Sequence, residues 1–159
     1  MGTTREPGVS MTNVLVRQLT FPEMDVAAAI QRITRADRLP WLPQFRSQEQ
    51  AAEVFRTRVF PAWAVWGAIE DGMIKGFIAF KEGWVDRLFV LPQAQRRGLG
   101  TALVEVAKTA YPRLQLWTFQ RNLPARRFYE ARGFVLAEET DGAGNMEREP
   151  DARYVWSRE

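Results

Sequence analysis

The 159-residue sequence contains neither cysteine nor histidine. The absence of cysteine excludes disulfides and a thiolate nucleophile, and the absence of histidine excludes an imidazole general base. Together the two absences exclude zinc sites built from cysteine and histidine, and we expect no bound metal. Any acid–base chemistry must therefore come from aspartate, glutamate, tyrosine, lysine, the backbone or water.

Long apolar runs are also missing from the chain. No stretch approaches the roughly 18 consecutive apolar residues of a membrane span, and residues 1–10 lack the apolar segment of a signal peptide. The length fits one domain, which we place at residues 13–159 after a flexible N-terminal tail at residues 1–12. We therefore expect a cytoplasmic protein with no membrane partner.

Charge is spread along the chain rather than gathered in one basic stretch. The formal net charge is +3, from 22 Lys and Arg against 19 Asp and Glu. A nucleic-acid-binding protein would more often carry one basic face, so we expect no nucleic-acid partner. The pI of about 9.7 and the arginine content are the features that favour that rival function.

Hydrophobic patterning predicts strands alternating with amphipathic helices. A capping-box pattern at Thr20 and Glu23 begins the first helix, and Asp71-Gly72 predicts a β-hairpin. The predicted strands are residues 14–19, 62–70, 73–80, 84–90, 114–119, 134–139 and 153–157. The predicted helices run from 20 to about 33, from 47 to 61, from 98 to about 111 and from 122 to 133.

The most informative segment is Gln-Arg-Arg-Gly-Leu-Gly at residues 95–100, a glycine-rich turn between a strand and a helix. Free N–H groups at a helix start suit an anion such as phosphate, and two arginines add permanent charge. No Gly-Lys-Ser/Thr follows, and Leu103 stands where a dinucleotide-binding loop has its third glycine. The glycines alone are equally compatible with a plain helix-start turn.

A second segment resolves this ambiguity by resemblance. Residues 122–134 read Asn-Leu-Pro-Ala-Arg-Arg-Phe-Tyr-Glu-Ala-Arg-Gly-Phe. With residues 95–100 they resemble the two motifs of the GNAT N-acyltransferase superfamily, Gln/Arg-x-x-Gly-x-Gly/Ala and Asn-x-x-Ala-x-x-Phe-Tyr-Glu-x-x-Gly-Phe. The resemblance implies a mixed α/β acyl-CoA N-acyltransferase fold, with a mostly antiparallel sheet of about six to seven strands and about four helices.

The resemblance also implies an acetyl-CoA site along the fourth strand and the loop after it. Backbone groups of Leu88, Phe89 and Val90 would bind the pantetheine, and the Val90 N–H would stabilise the thioester oxyanion. Asn122 would cap its helix and touch the coenzyme. The residues that the family pattern places on the phosphates are Arg96, Arg97, Gly98, Leu99, Gly100 and Thr101.

Tyr129 matches the family's general acid, which protonates the departing thiolate. Its helical spacing fits a packed core tyrosine equally well. The predicted fifth strand, Leu-Gln-Leu-Trp-Thr-Phe, lacks the glutamate that some family members use as a base. Asp86 is the candidate base and Glu82 the next nearest carboxylate, while proton loss through ordered water is the alternative.

The resemblance places the acceptor amine, from a small molecule or a protein, between the loop after the first helix and the loop between the last two strands. Aromatic and acidic side chains there would suit a cationic amine, although an ordinary solvated loop explains them equally. These side chains are Trp41, Leu42 and Phe45 in the first loop and Asp141, Glu147, Glu149 and Asp151 in the second.

The resemblance therefore implies an N-acetyltransferase that moves acetyl from acetyl-CoA to a primary amine by direct attack in a ternary complex. No covalent enzyme intermediate is expected, since the chain has no cysteine. A non-catalytic acyl-CoA-binding sensor is the main alternative, and the missing fifth-strand carboxylate favours it. The family pattern also allows a homodimer.

Overall fold

A computed structural model describes residues 14–159 as seven strands and five α-helices, joined in places by short 3-10 and π-helical turns. The strands are β1 Val14–Gln18, β2 Ala64–Glu70, β3 Met73–Lys81, β4 Trp84–Val90, β5 Arg113–Phe119, β6 Val135–Thr140 and β7 Asp151–Ser157. The helices are α1 Met24–Arg38, α2 Gln48–Val54, α3 Phe60–Ala62, α4 Leu99–Ala110 and α5 Leu123–Ala131. The tail expected at residues 1–12 lies outside the described residues.

The seven strands form one mixed sheet in the order β1-β2-β3-β4-β5-β7-β6, and the expected fold class is confirmed. All neighbours pair antiparallel except β4 and β5, which are parallel. That parallel pair is in register only at Trp84–Gln115 and Val85–Leu116. Beyond these residues the two strands separate, so the sheet opens along the second half of β4.

A β-bulge in β4 lies where this separation begins. Ala79 of β3 is opposite Arg87 and Phe80 is opposite Val85, which leaves Asp86 without a partner. An extra residue of this kind bends its strand and increases the local twist. The bulge therefore turns the second half of β4 while its antiparallel pairing to β3 continues.

Helices cover both faces of the sheet. On one face the first buried cluster contains Leu99 and Leu103 of α4 with Tyr129 of α5 and Tyr154 of β7. On the other face the second cluster contains Met24 and Ile30 of α1 with Phe55 and Phe77. Side chains alternate along β4, so Val90 joins the first cluster while Phe89 packs against the second.

Helix α1 is longer than the sequence analysis predicts. It continues past Ile33 to Arg38, and Leu39 leaves the helical conformation with φ −129° and ψ 58°. The first residue that disfavours helix here is Pro40, which restricts the residue before it. The prediction that this helix ends at about residue 33 is therefore wrong.

The second helix also continues past Pro61, at which it was predicted to end. After α2 the chain makes a π-helical turn at Phe55–Val59, and α3 carries the helix through Pro61 to Ala62. The π turn bonds the Phe60 N–H to the Phe55 carbonyl. A wider turn accommodates a residue without an N–H more easily than regular α-helix does. Strand β2 consequently begins at Ala64 rather than at residue 62.

Across residues 14–159 no helix combines the length and the apolar character that a bilayer crossing requires.

Candidate active site

The separation of β4 and β5 opens a cleft of about 630 Å³ that reaches through the sheet. Its walls come from β4, from the start of α4 and from α5 on one face, and from the last turn of α1 on the other. The side chains that line it from β4 and α5 include Leu88, Phe89, Val90, Phe128 and Tyr129. Two reactants can therefore approach the same strand from opposite faces.

Strand β4 presents backbone hydrogen-bonding groups to this cleft. The Leu91 N–H donates to the Lys75 carbonyl at 2.8 Å, on the β3 side. Because backbone groups alternate along a strand, those of Leu88 and Val90 point away from β3. The Gln95 side-chain amide donates to the Val90 carbonyl at 2.7 Å, in agreement with this direction. The rest of this strand edge is free to pair with an extended polar chain.

Helix α4 begins at the cleft with unpartnered N–H groups. Its first intrahelical bond runs from the Ala102 N–H to the Gly98 carbonyl at 3.0 Å, so the N–H groups of Leu99, Gly100 and Thr101 have no partner within the helix. Gly98 has φ +86°, which favours glycine. The free N–H groups and the helix dipole make this end attractive to an anion.

Gly100 allows α5 to pack closely on this helix start. A Cβ atom at Gly100 would lie 3.1 Å from the Phe128 ring. Arg132 covers the other side of that ring at 3.7 Å and donates to the Thr101 hydroxyl at 2.6 Å. Thr101 thus lines the cleft with its hydroxyl already bonded to Arg132.

The two arginines of the loop have different surroundings. Arg96 lines the cleft, while Arg97 contacts the buried Glu70 carboxylate at the end of β2 at 2.6 Å. The Arg97 side chain therefore anchors the loop to the sheet instead of facing the cleft. Leu99, also expected at the phosphates, has its side chain in the core, so only its backbone can serve there. Basic side chains of α5, Arg127 and Arg132, line the cleft as well.

Helix α5 brings Asn122 and Tyr129 to the cleft. The Asn122 side chain caps the helix by accepting from the Ala125 N–H at 3.3 Å. The Tyr129 ring packs edge-on against Phe128 and Phe134, with centroids 5.3 and 5.5 Å away. Burial raises the pKa of Tyr129 well above its usual value of 10.0, so its phenol keeps its proton at neutral pH. Tyr129 is both a packed core ring and part of the cleft wall.

The carboxylates expected near the reaction centre have other surroundings. Asp86 is ion-paired with Arg87 and does not line the cleft. Glu82 lies in the turn between β3 and β4, where its N–H bonds to the Tyr111 hydroxyl. Among the described residues, Asp37 of α1 is the carboxylate that lines the cleft.

The four acidic side chains expected at the acceptor site, in and next to the loop between β6 and β7, already have partners within the protein. Glu147 pairs with Arg35 at 3.4 Å, and Glu149 pairs with Arg121 at 2.9 Å. The remaining two, Asp151 and Asp141, accept hydrogen bonds from Asn145 at 3.1 Å and from the Ala143 N–H at 2.9 Å.

The loop after α1 differs from the expected aromatic wall. The Trp41 ring lies beneath the Arg121 guanidinium at 4.0 Å and edge-on to Phe119 at 5.9 Å. Leu42 is buried, and Phe45 is exposed near α2. None of these three side chains lines the cleft.

Several cleft residues lie outside the site predicted from the sequence. Those of α1 were missed because the helix was expected to end near residue 33, although Pro40 was the available signal for a later end. On the α5 side, Ala125 and Arg132 lie four residues before and three residues after Tyr129, and that spacing could have indicated them. The α1 group is Thr34, Arg35, Asp37, Arg38 and Leu39; Gln95, Pro124, Ala125, Arg127, Phe128 and Arg132 complete the set.

Comparison with known proteins agrees with this geometry. A family model described as acetyltransferase (GNAT) domain matches residues 61–136, which include β4, the glycine loop and α5. The chain is 40% identical over 74 residues to a peptidyl-lysine N-acetyltransferase, YiaC, of Escherichia coli strain K12, covering 46% of this chain and 51% of that protein. The matched region, residues 61–136, is therefore a GNAT acetyltransferase domain.

Solved structures of other proteins show the same fold over nearly the whole described chain. The solution structure of apo YjaB from Escherichia coli has a TM-score of 0.75 at 21% identity and covers 90% of this chain and 97% of that one. The PaiA N-acetyltransferase of Thermoplasma acidophilum, solved in complex with coenzyme A, has a TM-score of 0.67 at 18% identity, with 91% and 98% covered. In sequence, this chain spans about half the length of the curated relatives it matches.

Proposed function

We propose that this chain, through one domain at residues 13–159, transfers an acetyl group from acetyl-CoA to a primary amine. The observation that carries the proposal is the cleft through the sheet. There an unpaired strand edge, the start of α4 and the protonated Tyr129 phenol lie along one cavity. This combination suits a long ligand with an anionic end, an amide-containing arm and a reactive group that needs a proton.

The coenzyme would lie along β4 and end at the start of α4. The pantetheine arm carries two amides, which can pair with the backbone of Leu88 and Val90 as a neighbouring strand would. The pyrophosphate would meet the N–H groups from Gly98 to Thr101, with Arg96 and Arg127 beside it. The PaiA N-acetyltransferase, which shares the fold, was solved in complex with coenzyme A, and this supports a coenzyme A ligand for the fold.

The reaction would be a direct transfer. The neutral amine attacks the thioester carbonyl carbon, and the Val90 N–H stabilises the developing oxyanion. A C–N bond forms and the C–S bond breaks. The Tyr129 hydroxyl gives its proton to the departing sulfur and regains one from solvent. The Tyr129 phenol is protonated at neutral pH and can supply this proton, while the burial that raises its pKa makes it a weaker acid.

Water would remove the proton that the amine loses. Asp86, the base candidate from the sequence, is held by Arg87 at the bulge and lies outside the cleft wall. Asp37 lines the cleft but is exposed and lies 3.3 Å from Arg38. Ordered water in the cleft therefore remains the simplest proton acceptor, as the sequence analysis allows.

Among the described residues no unpaired carboxylate lines the cleft, which also favours the second candidate function, an acyl-CoA sensor without turnover. An acetyl transfer assay distinguishes the two. Coenzyme A release from acetyl-CoA is followed with a thiol reagent, and products are identified by mass spectrometry, with EDTA present in one arm. The amines are amino acids, polyamines, aminoglycosides and a lysine peptide, the last because the YiaC relative is named for peptidyl-lysine. An acetylated product supports the enzyme, while coenzyme binding without any product supports the sensor.

A further inference from the structure

The last turn of α1 and its neighbours carry a group of arginines on the face of the sheet opposite α4. We call this group the arginine cluster. Arg35 and Arg38 line the cleft directly. Its members are Arg32, Arg35, Arg38, Arg46 and Arg87.

The members of the cluster lie close enough to influence one another. Arg32 donates to the Arg46 carbonyl, and Arg87 donates to Gln31 of α1 at 3.0 Å while its guanidinium covers the Phe55 ring. Burial lowers the pKa of Arg87; Arg35 and Arg46 lower it further, while Asp86 acts in the opposite direction. Like charges at this range repel, so a bound anion would stabilise the cluster.

Acidic side chains balance the cluster only in part. Asp86 pairs with Arg87, Asp37 with Arg38, and Glu147 with Arg35. Two of the five arginines, Arg32 and Arg46, have no carboxylate partner among residues 14–159. The surroundings of the cleft on this face are therefore cationic.

Two buried polar atoms at the same place have no partner among residues 14–159. The Thr34 hydroxyl and the Arg35 Nε are both shielded from solvent and form no hydrogen bond within that part of the chain, and Thr34 is only 6% exposed. Buried polar groups without partners are uncommon, and each calls for an explanation such as a bound group. The contact between Arg35 and Glu147 is a single one of 3.4 Å, longer than a good charge-assisted hydrogen bond. Arg35 is therefore free to exchange Glu147 for another anion.

We propose that the acceptor is a small amine that also carries a carboxylate or a phosphate, and that Arg35 and Arg38 bind this anionic group on the α1 side of the cleft. The proposal rests on the proposed acetyl transfer and names the class of its acceptor. Polyamines and basic lysine peptides would be disfavoured, because a second positive charge would face the arginine cluster. A lysine peptide with acidic neighbours also carries anionic groups near its amine, so such a peptide is tested separately from the small acceptors.

Matched acceptors test the proposal directly. β-Alanine is compared with β-alaninamide, and O-phosphoethanolamine with ethanolamine, because each pair differs in the anionic group. A lysine peptide with acidic flanks forms a separate arm. We expect kcat/KM to favour the anionic member of at least one small-molecule pair by about 10-fold to 100-fold, as a charged hydrogen bond supplies. Equal or greater activity with the uncharged members, or activity on the peptide alone, would overturn the proposal.

Two variants locate the effect on Arg35. Arg35→Gln should remove the preference while leaving coenzyme A affinity unchanged, and the control Arg58→Gln, at an exposed arginine of the π turn, should keep it. Glu147→Gln should lower KM for the anionic acceptor, since Arg35 loses its competing partner. If Glu147 instead binds a cationic amine, this variant raises KM, and the proposal is wrong. A weakened coenzyme affinity in Arg35→Gln would place Arg35 in the coenzyme site and would also contradict it.

A binding measurement separates this proposal from the proposed function. If the protein binds coenzyme A but acetylates no amine, the proposed acetyl transfer is wrong. Inorganic phosphate is then titrated calorimetrically into the coenzyme A-loaded protein, in which the α4 site is occupied. Saturable phosphate binding that is lost in Arg35→Gln would still support an anion site at Arg35. Binding that is absent, or equal in both proteins, would reject it.

Discussion

The two ends of the cleft use different chemistry for the same task of holding a ligand. At the coenzyme end, the backbone of β4 and the first N–H groups of α4 do most of the proposed binding. At the acceptor end, the groups are the guanidinium side chains of α1 and its neighbours. The backbone end depends on chain conformation, and therefore on Gly98 and on the bulge at Asp86. The side-chain end depends on which residues occupy the last turn of one helix, so single substitutions there can change the acceptor without disturbing the coenzyme.

The largest expected effect follows from disturbing the backbone end. Gly98→Glu places a side chain at φ +86° and a negative charge where we expect a pyrophosphate. Coenzyme A binding measured by calorimetry should be lost. Gly72→Glu is the matched control, because Gly72 has φ +78° in the turn between β2 and β3 with open space around it. Retained coenzyme affinity in Gly98→Glu would show that the loop does not hold the phosphates.

The next largest expected effect is on turnover and concerns Tyr129, the proposed general acid. Tyr129→Phe should lower kcat by about 100-fold to 10,000-fold, the usual contribution of a general acid, and should leave coenzyme A affinity nearly unchanged. Tyr111→Phe serves as the control, since the Tyr111 hydroxyl bonds to the Glu82 N–H away from the cleft. Unchanged turnover in Tyr129→Phe would leave this residue with a packing role only.

A smaller effect, on stability and not on activity, is expected at Glu23, just before α1, the helix that carries the acceptor end. Hydrogen bonds from the Arg17 side chain and from the Thr20 N–H lower the pKa of Glu23 from 4.5 to about 2. The stabilising effect is complete above pH 4.5 and is lost as the pH falls from there toward 2. Glu23→Gln should therefore unfold more easily than wild type at neutral pH, with a difference that shrinks over this acid range in thermal melts. A difference that stays constant with pH would contradict the linkage.

The smallest effect is expected at the bulge. Asp86→Asn should leave the pH dependence of kcat/KM unchanged, because the Asp86 carboxylate pairs with Arg87 outside the cleft wall. An acidic limb of the profile that is present in wild type and disappears in Asp86→Asn would make this residue the base and would replace water in the proposed mechanism.

The same contrast explains how much could be predicted from the sequence. The strand, glycine turn and helix around Gly98 were predictable, because backbone geometry restricts which residues can occupy each position. The boundaries of β4 also match the prediction at residues 84–90. Local patterns of this kind carry their own structural signal.

The acceptor end carried no comparable signal. The arginines of α1 are ordinary helix-surface residues in the sequence, and only the separation of β4 from β5 brings Arg35 and Arg38 to a cleft on the far side of the sheet. The acidic residues of the β6–β7 loop appeared free to bind a cation, but their partners, Arg35, Arg121 and Asn145, are distant in sequence or hidden within the loop itself. Such pairings follow from tertiary structure and not from spacing.

Calorimetric titration of acetyl-CoA, with coenzyme A beside it, into the wild-type protein tests the central claim most directly. The account predicts saturable 1:1 binding of both ligands, because the proposed contacts lie on the phosphates and the pantetheine that the two share. The absence of binding at millimolar ligand would contradict it, and the cleft would then be a feature of the fold without this ligand.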